Sequence, residues 1–486
     1  MCILFCDRCS VYLLGVAAGA FMPFSRVHNA KGFAPQELYR WGFNSTVAVT
    51  ARRALGLRYR LLPHIYTLFF EAHTGGETRN NQMVAAPLFL QFPDLSGSYL
   101  SRVEDQQFML GANLLIAPVT QQSATKQSVW FPGGEIWWRF EAPDPTDGTS
   151  LVASTDAWSI LEPSPVVCRA TKAMQVEKSS SLNAPARRLS GQKDSELRIP
   201  SRTRSGGQDH GDDSSSSRVL RRQVGGGCDV DMAAPLGTVT VFARGGTAMG
   251  LHAPMTTDVT GMSTGANAMH SERKKNSAEG GDGETLTDLK PWTTDALRQS
   301  AYDLLIPLDE TGTATGELFL DDGDQPRITG DGAASTIIRF ATSMPKASLF
   351  QQGNISVTVN RLLSAQDIYQ PAPGAVWRHV IVHGLAPYAS LARRIDHGNH
   401  LELKISSSDQ QEKSIRIPSR HLNFEQFPPM QMNEGERDKA RGGPVESAVE
   451  EGGLLHPWFF RVDLGCLHSP IHLSSNWSLS WVPGVL

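Results

Sequence analysis

Residues 45–72 carry the clearest hydrophobic pattern in the chain, and this pattern has helical spacing. Apolar side chains recur every three or four positions, which is typical of a helix that buries one face. Asn44 or Ser45 can cap the start of the helix, and Gly75 favours its end. Because Pro63 lacks a backbone donor, we expect a kink there. The positions expected to face the core are Val47, Ala51, Ala54, Leu55, Tyr59, Leu62, Tyr66 and Phe69.

After residue 83 the hydrophobic pattern changes to short runs separated by Pro and Gly turn signals. This change is typical of β-strands joined by tight turns and predicts a β domain. The first runs cover residues 86–92, 113–119, 128–131, 136–140 and 237–249. A later series predicts a β-sandwich. Its runs cover residues 301–308, 316–320, 335–341, 355–362, 377–382, 401–405 and 415–417.

Polar segments interrupt these strand patterns. Residues 169–232 are rich in Ser, Arg, Gly and Asp, and they cannot bury enough apolar surface to offset their chain entropy. We therefore expect a disordered insertion there, a polar linker over residues 256–299 and a polar loop over 432–453. The predicted domains are residues 1–83 with the helix, a first β domain over 84–255 and a second β domain over 300–486.

The charge balance narrows the classes of partner. There are 45 Lys and Arg residues against 49 Asp and Glu residues, and the net charge of −4 excludes general attraction to nucleic acid or anionic membranes. Six cysteines in 486 residues are too few for a disulfide scaffold. Cys2, Cys6 and Cys9 lack the second ligand pair of a zinc site, so no metal site is expected there.

The apolar stretch at residues 12–22 has two interpretations. It is too short to span a bilayer, and we expect no membrane span. Its small residues resemble a signal-peptide cleavage site, whereas a continuous apolar run before a proline also fits a buried parallel strand. Three N-x-S/T sequons, at Asn44, Asn354 and Asn476, are usable only in a secretory lumen.

Eight motifs occur along the chain in the order of one known enzyme family. They are AGAFMPFSRVHN at 18–29, PQELYRW at 35–41, RYRLLPHIYTLFFEAH at 58–73, PLFLQFPD at 87–94, QFMLGANLLIAPV at 107–119, WFPGGEIWW at 130–138, VFARGG at 241–246 and IPLDETGTATGELFLDDGD at 306–324. Together they resemble the C-terminal half of glycoside hydrolase family 31, the α-glucosidase family that includes maltases and glucosidase II. Val27 and Ala86 depart from the family pattern, which has Asn and Arg there.

The resemblance implies an α/β plus all-β fold. Residues 1–83 would hold the last strand and the closing helix of a (β/α)8 barrel, followed by proximal and distal β-sandwich domains with disordered insertions. A barrel needs about 250 residues, and only 83 residues precede the first β domain. We therefore expect a C-terminal remnant of a barrel rather than a closed one.

The resemblance also implies retaining glycosidase chemistry with two carboxylates. In the family, the nucleophile lies in a WxDMNE-type motif and the acid/base in a GDN-type motif, and neither motif occurs in this sequence. The acidic residues before position 84 are Asp7, Glu37, Glu71 and Glu77, and none has such a pattern. We assign no catalytic residue, no metal ligand and no cofactor to the chain.

His28 is the one substrate-binding residue that the resemblance implies. It matches a family histidine that holds a sugar hydroxyl in the −1 subsite, where an imidazole can donate from one nitrogen and accept at the other. For Arg26 we expect an ion pair that holds the loop. For Phe24 we expect packing against the barrel rather than contact with the sugar.

Other candidate residues have simpler structural interpretations. Trp130, Trp137 and Trp138 could stack on a sugar, but their strand pattern favours the core of a sheet. Arg244 lies at a Gly-rich turn and is expected to be structural. Asp321, Asp322 and Asp324 lack the DxDxDG spacing of a calcium loop, and we expect a solvated turn.

These observations predict an α-glucosidase-type glycoside hydrolase that releases terminal α-linked glucose. Its substrate would be an oligosaccharide or glycan, and its location the lumen of the secretory pathway: endoplasmic reticulum, lysosome or outside the cell. Because both carboxylate motifs are missing, the 486-residue chain alone is expected to be inactive. The alternative is a non-catalytic β-sandwich fragment that binds carbohydrate or a partner protein.

Overall fold

The structure is a computed structural model, and β-strands dominate it. Among the residues described, no helix is long and apolar enough to cross a bilayer. The described residues are 15–26, 31–32, 37–42, 45–74, 83–93, 105–119, 124, 126–140, 165–168, 227–234, 240–253, 294–324, 330–344, 354–361, 365–385, 400–406, 412–417, 421–426, 457–465, 467 and 470–482.

Helix α1, Thr46–Thr74, confirms the strongest sequence pattern. Ser45 caps it, because its Oγ accepts a hydrogen bond from the backbone N–H of Ala48 at 3.1 Å. A short 3-10 helix, Leu38–Trp41, precedes it. The helix continues through Pro63, and the kink expected there stays a prediction.

The buried face of α1 differs from the expected one. Tyr59, Tyr66 and Phe69 were expected in the core, but they are 46%, 40% and 45% exposed. Val47, Ala51 and Ala54 are buried as expected, but the buried row then continues through Leu57, Leu61, Ile65 and Leu68. The physical reason is that apolar residues form two adjacent stripes on this helix, and only one stripe can face the sheets.

We predict that Tyr59→Lys or Phe69→Lys raises the soluble fraction of the chain, because each replaces a ring that is nearly half exposed. Tyr66 is the matched control, since its exposure is similar but its hydroxyl lies 2.8 Å from both carboxylate oxygens of Asp321. Tyr66→Lys should lower the melting temperature instead. Soluble protein after centrifugation and thermal unfolding are measured for all three, and equal behaviour would contradict the prediction.

The strand expected before α1 is wrong for residues 15–19, which are helical. The backbone N–H of Ala20 donates to the carbonyl of Val16 at 3.1 Å. No described strand pairs with this stretch, and a helix pairs its backbone groups within itself. Ala20 and Phe21 are fully buried next to α1. The described residues contain no closed barrel.

The first β unit is a six-stranded antiparallel sheet, sheet A, with a two-stranded ribbon. Its elements are β1 Ala85–Ala86, α2 Leu88–Gln91, β2 Phe108–Leu110, β3 Leu114–Ala117, β4 Lys126–Pro132, β5 Ile136–Phe140, β6 Val166–Val167, β7 Gly227–Ala233 and β8 Thr240–Arg244. Sheet A has the order β1-β2-β3-β8-β5-β6, and β4 pairs with β7 to form the ribbon. The run at 86–92 was expected to be a strand, but helix α2 occupies most of it because only its first residue pairs with β2.

Strand β7 corrects the C-terminal limit of the expected insertion at 169–232. Residues 227–232 belong to this strand, and a disulfide joins Cys168 to Cys228. The segment is polar, but the cross-link and the pairing with β4 compensate for its small apolar content. Residues 169–226 lie outside the described part of the chain, as does the expected loop at 432–453.

The second β unit is a sandwich of two sheets, as expected. Its elements are α3 Thr294–Arg298, β10 Tyr302–Pro307, β11 Thr313–Asp321, β12 Gly330–Ser343, β13 Asn354–Arg361, β14 Ala365–Asp367, β15 Val376–Leu385, β16 His400–Ser406, β17 Glu412–Ile417, β18 Leu422–Gln426, β19 Pro457–Asp463, β20 Ile471–His472 and β21 Asn476–Val482. Sheet C has the order β11-β12-β13-β21-β16-β17, with β14 beside β12.

Sheet D crosses the limit expected between the two β domains at residue 255. Its order is β18-β19-β15-β10-β9, with β20 beside β15, and its edge strand β9 is Met249–His252. Met249 therefore pairs with Leu305 of the later domain. Helix α3 likewise lies inside the expected linker at 256–299 and buries Leu297. An apolar strand can join whichever sheet offers a free edge, and spacing along the sequence does not identify that sheet.

Three cores stack these layers on one another. Residues of β3 alternate between two of them: Leu114 and Ile116 face α1, whereas Leu115 faces the ribbon. Residues of β10 alternate in the same way, because Leu305 faces α1 and Leu304 faces sheet C. Helix α1 thus lies in a core shared by sheets A and D.

Candidate functional site

The segment that would carry the sugar-binding histidine is described only as far as Arg26. His28 lies outside the described residues, so its role stays a prediction, as does the ion pair of Arg26. The ring of Phe24 is 75% exposed among the described residues, which contain no closed barrel, so its packing against the barrel stays a prediction. The turn at residues 20–24 carries this ring on its outer side, where the described residues leave it largely in solvent.

Arg58 of α1 holds that turn in place. Its guanidinium donates hydrogen bonds to the carbonyl oxygens of Ala20 at 2.7 Å, Met22 at 2.6 Å and Pro23 at 3.1 Å. Hydrogen bonds from a charged donor are stronger than neutral ones. The side chain therefore connects the RYRLLPH motif of the helix to the AGAFMP motif before it, and sets where the following FSR residues begin.

The tryptophans of the WFPGGEIWW motif form sheet core and offer no face to a sugar. Trp130, Trp137 and Trp138 are at most 1% exposed, which confirms the structural interpretation. Gln107 holds the backbone of Trp130: its amide donates to the carbonyl of Trp130 at 2.8 Å, and its oxygen accepts from the N–H of Trp130 at 3.1 Å.

A cavity of about 510 Å³ opens beside Arg244. The Arg244 guanidinium contacts the carboxylate of Glu135 and lies 5.1 Å from the ring centre of Phe92. Gly246 has a φ of +86°, a conformation that glycine tolerates best, and its N–H donates to the carbonyl of Pro307 at 2.8 Å. The turn thus joins the two β units.

The other charged group of this cavity, Asp309, is held by its own turn. Burial opposes ionisation, but four hydrogen bonds from Thr311 and Thr313 outweigh it and lower the pKa of the Asp309 carboxyl. The carboxylates of this cavity therefore already have protein partners. This arrangement supports the structural role expected for Arg244.

The turn at residues 321–324 is solvated at Gly323 and Asp324, as expected, whereas Asp321 is only 4% exposed. Burial raises the pKa of its carboxyl, while hydrogen bonding from Tyr66 opposes this shift. Burial and Asp321 in turn raise the pKa of the Tyr66 hydroxyl. Arg298 donates to the carbonyl oxygens of Asp321 and Asp322. Among the described residues, no three His, Cys, Asp or Glu side chains are grouped to hold a metal ion.

A buried charged network, which the sequence pattern did not predict, connects α1 to sheet D. Asp303 is fully buried, with one carboxylate oxygen 3.0 Å from the guanidinium of Arg60 and the other 2.7 Å from Nδ1 of His379. A carboxylate only accepts, so Nδ1 of His379 carries the proton in this hydrogen bond. Arg60 also donates to the carbonyl of His252 at 3.1 Å. The sequence feature that could have indicated this network is the single acid, Asp303, inside the apolar run YDLLIP.

Three buried histidines predict that stability falls in acid. Desolvation lowers the pKa of His64 to about 4, and of His252 and His383 to about 3. The unfolded chain binds protons below the ordinary histidine pKa of about 6.5, whereas the folded chain does not. The stability that these neutral histidines contribute is therefore fully present above this pKa, and it is lost as the pH falls toward 4. For His64 the loss between pH 7 and pH 5 is about 2 kcal/mol.

We predict that His64→Gln reduces the loss of unfolding free energy between pH 7 and pH 5 by about 2 kcal/mol. Urea unfolding at pH 7 and pH 5 measures it in both proteins. His73→Gln on the exposed end of the same helix is the control, and it should leave the difference between the two pH values unchanged. If His64→Gln loses as much unfolding free energy between pH 7 and pH 5 as the natural chain, the folded protein binds a proton at His64 as readily as the unfolded chain does.

Two family models match consecutive parts of the chain. Residues 11–68 match the glycosyl hydrolases family 31 TIM-barrel domain, and residues 81–183 match the glycosyl hydrolase family 31 C-terminal domain. The first match contains the turn at residues 20–24, which Arg58 holds, and most of α1. The second match contains α2 and β1–β6. Both fall in the order in which the family motifs were recognised.

Individual relatives agree with these matches. A probable α-glucosidase of Oryza sativa subsp. japonica is 28% identical over 326 residues, which cover 67% of this chain and 23% of the relative. Lysosomal α-glucosidase of Bos taurus is 40% identical over 152 residues, covering 29% of this chain and 15% of the relative. A solved glucosidase II α subunit has a TM-score of 0.53 at 14% identity, over 97% of this chain and 32% of that one, and supports the fold.

The chain spans about a quarter of the length of the rice relative, so these matches concern a part of the enzyme. Within that part, the buried face of α1 packs the first matched segment against the strands of the second. Two segments of the chain, residues 11–68 and 81–183, therefore resemble the TIM-barrel domain and the C-terminal domain of glycoside hydrolase family 31, in that order.

Proposed function

We propose that the chain is the C-terminal part of an α-glucosidase-type enzyme that releases terminal α-linked glucose from oligosaccharides with retention of configuration. The ordered matches at residues 11–68 and 81–183 carry this proposal. The α-glucosidase relatives from rice and cattle support the substrate class. A retaining mechanism needs two carboxylates, one as nucleophile and one as acid/base. In this proposal both come from barrel residues other than those present here.

The role of the chain in such an enzyme would be to hold one side of the barrel. Arg58 fixes the turn at residues 20–23 that leads to His28. Arg60 and Tyr66, farther along the same helix, bind Asp303 of sheet D and Asp321 of sheet C. A site on rigid elements keeps its geometry better than a site on loops alone. The β-sandwich would therefore position the sugar-binding loop through α1.

The test is an assay of the purified 486-residue chain with maltose and an aryl α-glucoside. We expect no turnover above the uncatalysed rate, with a complete family 31 enzyme as the positive control. Turnover would contradict the claim that this chain lacks both catalytic carboxylates. Sugar binding without turnover would favour the non-catalytic alternative. An immunoblot against residues 300–340 then measures the size of the native protein, and a band larger than 486 residues supports the proposal.

We also propose that the protein resides in the lumen of the secretory pathway. The disulfide between Cys168 and Cys228 supports this location, because disulfides persist in oxidising compartments and are rare in the cytosol. The bovine relative is a lysosomal enzyme by name. Thiol alkylation of the cellular protein before reduction should leave both cysteines unlabelled. Labelling of both would contradict this location.

A further inference from the structure

The sequon at Asn476 lies where the fold can accept a bulky modification. We propose that the Asn476 side-chain nitrogen carries an N-linked oligosaccharide. Asn476 is exposed and is the first residue of β21. The side chains of the other two sequon asparagines, Asn44 and Asn354, lie outside the described residues. The inference rests on the lumenal location proposed above and is independent of hydrolysis.

Strand β21 separates an apolar face from a polar one, and Asn476 is on the polar face. Trp477 and Leu479 are 3% and 0% exposed and belong to the core of the sandwich. Because side chains alternate along a strand, Asn476 and the sequon hydroxyl of Ser478 point away from that core. An oligosaccharide at Asn476 would therefore displace no core side chain.

The neighbouring strands continue this polar face. Ser478 pairs with Ser356 of β13 on one side and with Lys404 of β16 on the other, and all three are partly exposed. Next to them, Ser414 of β17 donates a hydrogen bond to Glu402 at 2.5 Å. Hydroxyl and charged groups suit the first sugars of a glycan, which carry many hydroxyls of their own. A glycan on this face would contact polar groups and would not need to cover apolar surface.

A hydrogen-bonded turn presents the acceptor. The N–H of Ser475 donates to the carbonyl of His472 at 3.0 Å, and the imidazole of His472 lies 2.6 Å from the hydroxyl of Ser474. Asn476 follows this turn directly, at a junction between loop and strand. Exposed surface turns of a secreted protein are where such acceptors are used.

The chemistry requires one co-reactant, an oligosaccharide linked to a lipid pyrophosphate. The amide nitrogen of Asn476 attacks the anomeric carbon of the first sugar, forming a C–N bond. The C–O bond to the pyrophosphate breaks, and the lipid pyrophosphate leaves with that electron pair. The nitrogen loses one proton to a base, so no oxidant or reductant takes part.

The test uses the full chain in eukaryotic cells, once with its own N-terminus and once behind an added signal peptide. Enzymatic release of N-glycans in heavy-oxygen water converts an occupied Asn476 to labelled Asp, which peptide mass spectrometry detects. Ser478→Thr keeps the sequon and should keep the label. Ser478→Ala and Asn476→Gln should both lose it.

Each outcome decides one of the two proposals. Label in both forms supports the site and the lumenal location. Label only behind the added signal peptide supports the site, and the location is then decided by the alkylation of Cys168 and Cys228 in the cellular protein. No label at Asn476 in the signal-peptide form, although Cys168 and Cys228 are oxidised there, overturns the site. Glycans are added before folding is complete, so material retained in the cell is analysed with secreted material and a folding defect does not mask the result.

Discussion

Asp303→Asn is expected to lower the free energy of unfolding by about 3–5 kcal/mol, because it leaves buried charge and polar groups without their partner. The Asp303 carboxylate is fully buried between Arg60 and His379, at 3.0 and 2.7 Å. Asparagine preserves the shape but removes the negative charge. Urea unfolding followed by intrinsic fluorescence measures the change.

Two further variants make this result specific. Arg60→Met combined with Asp303→Asn should cost less than the sum of the single changes, because removal of both charges leaves neither unpaired. Glu317→Gln is the matched control on the ion pair with Arg339, whose side chain is 39% exposed. It should cost about 1 kcal/mol or less. Equal losses at the two ion pairs would show that Asp303 is not a buried charge in solution.

Replacing Cys168 and Cys228 together by serine is expected to cost about 4 kcal/mol of unfolding free energy. The two cysteines are 60 residues apart, and closing so long a loop removes much entropy from the unfolded chain. The loss should appear as a lower urea midpoint. Strand β7, which begins one residue before Cys228, should then exchange its amide hydrogens faster.

Reduction provides the control for this variant. Adding reductant to the natural chain should lower its midpoint to that of the double serine variant, and it should leave the variant itself unchanged. If the variant and the reduced chain differ, the serine side chains contribute to the loss. If neither differs from the oxidised chain, the disulfide does not constrain the unfolded state.

The sequence predicted those features that depend on neighbouring residues. Helix α1, its Ser45 cap and the buried tryptophans follow from local spacing and strand pattern. The choice of buried stripe on α1 does not, because Tyr59 and Leu57 are both apolar and only the contacting sheets distinguish them. Their positions come from partners far away in the chain.

Long-range pairing also explains what was missed. The cysteine count gave no connectivity, and Cys168 and Cys228 flank a long polar segment. Strand β9 was grouped with the residues before it, although it pairs with β10. For the candidate site, the motif predicted His28, but the residues that hold its loop became visible only through the three hydrogen bonds of Arg58.

The contacts of α1 also have a consequence for synthesis on the ribosome. Arg60 must find Asp303, 243 residues later, and Thr67 must find the N–H of Phe319, 252 residues later. At about 5–20 residues per second, these partners are made roughly 10–50 seconds after the helix. During this interval the part of the α1 stripe that packs against sheet D stays uncovered, although β2, β3 and β5 of sheet A are made earlier. A nascent chain of this kind offers a binding site for a chaperone until sheet D is complete.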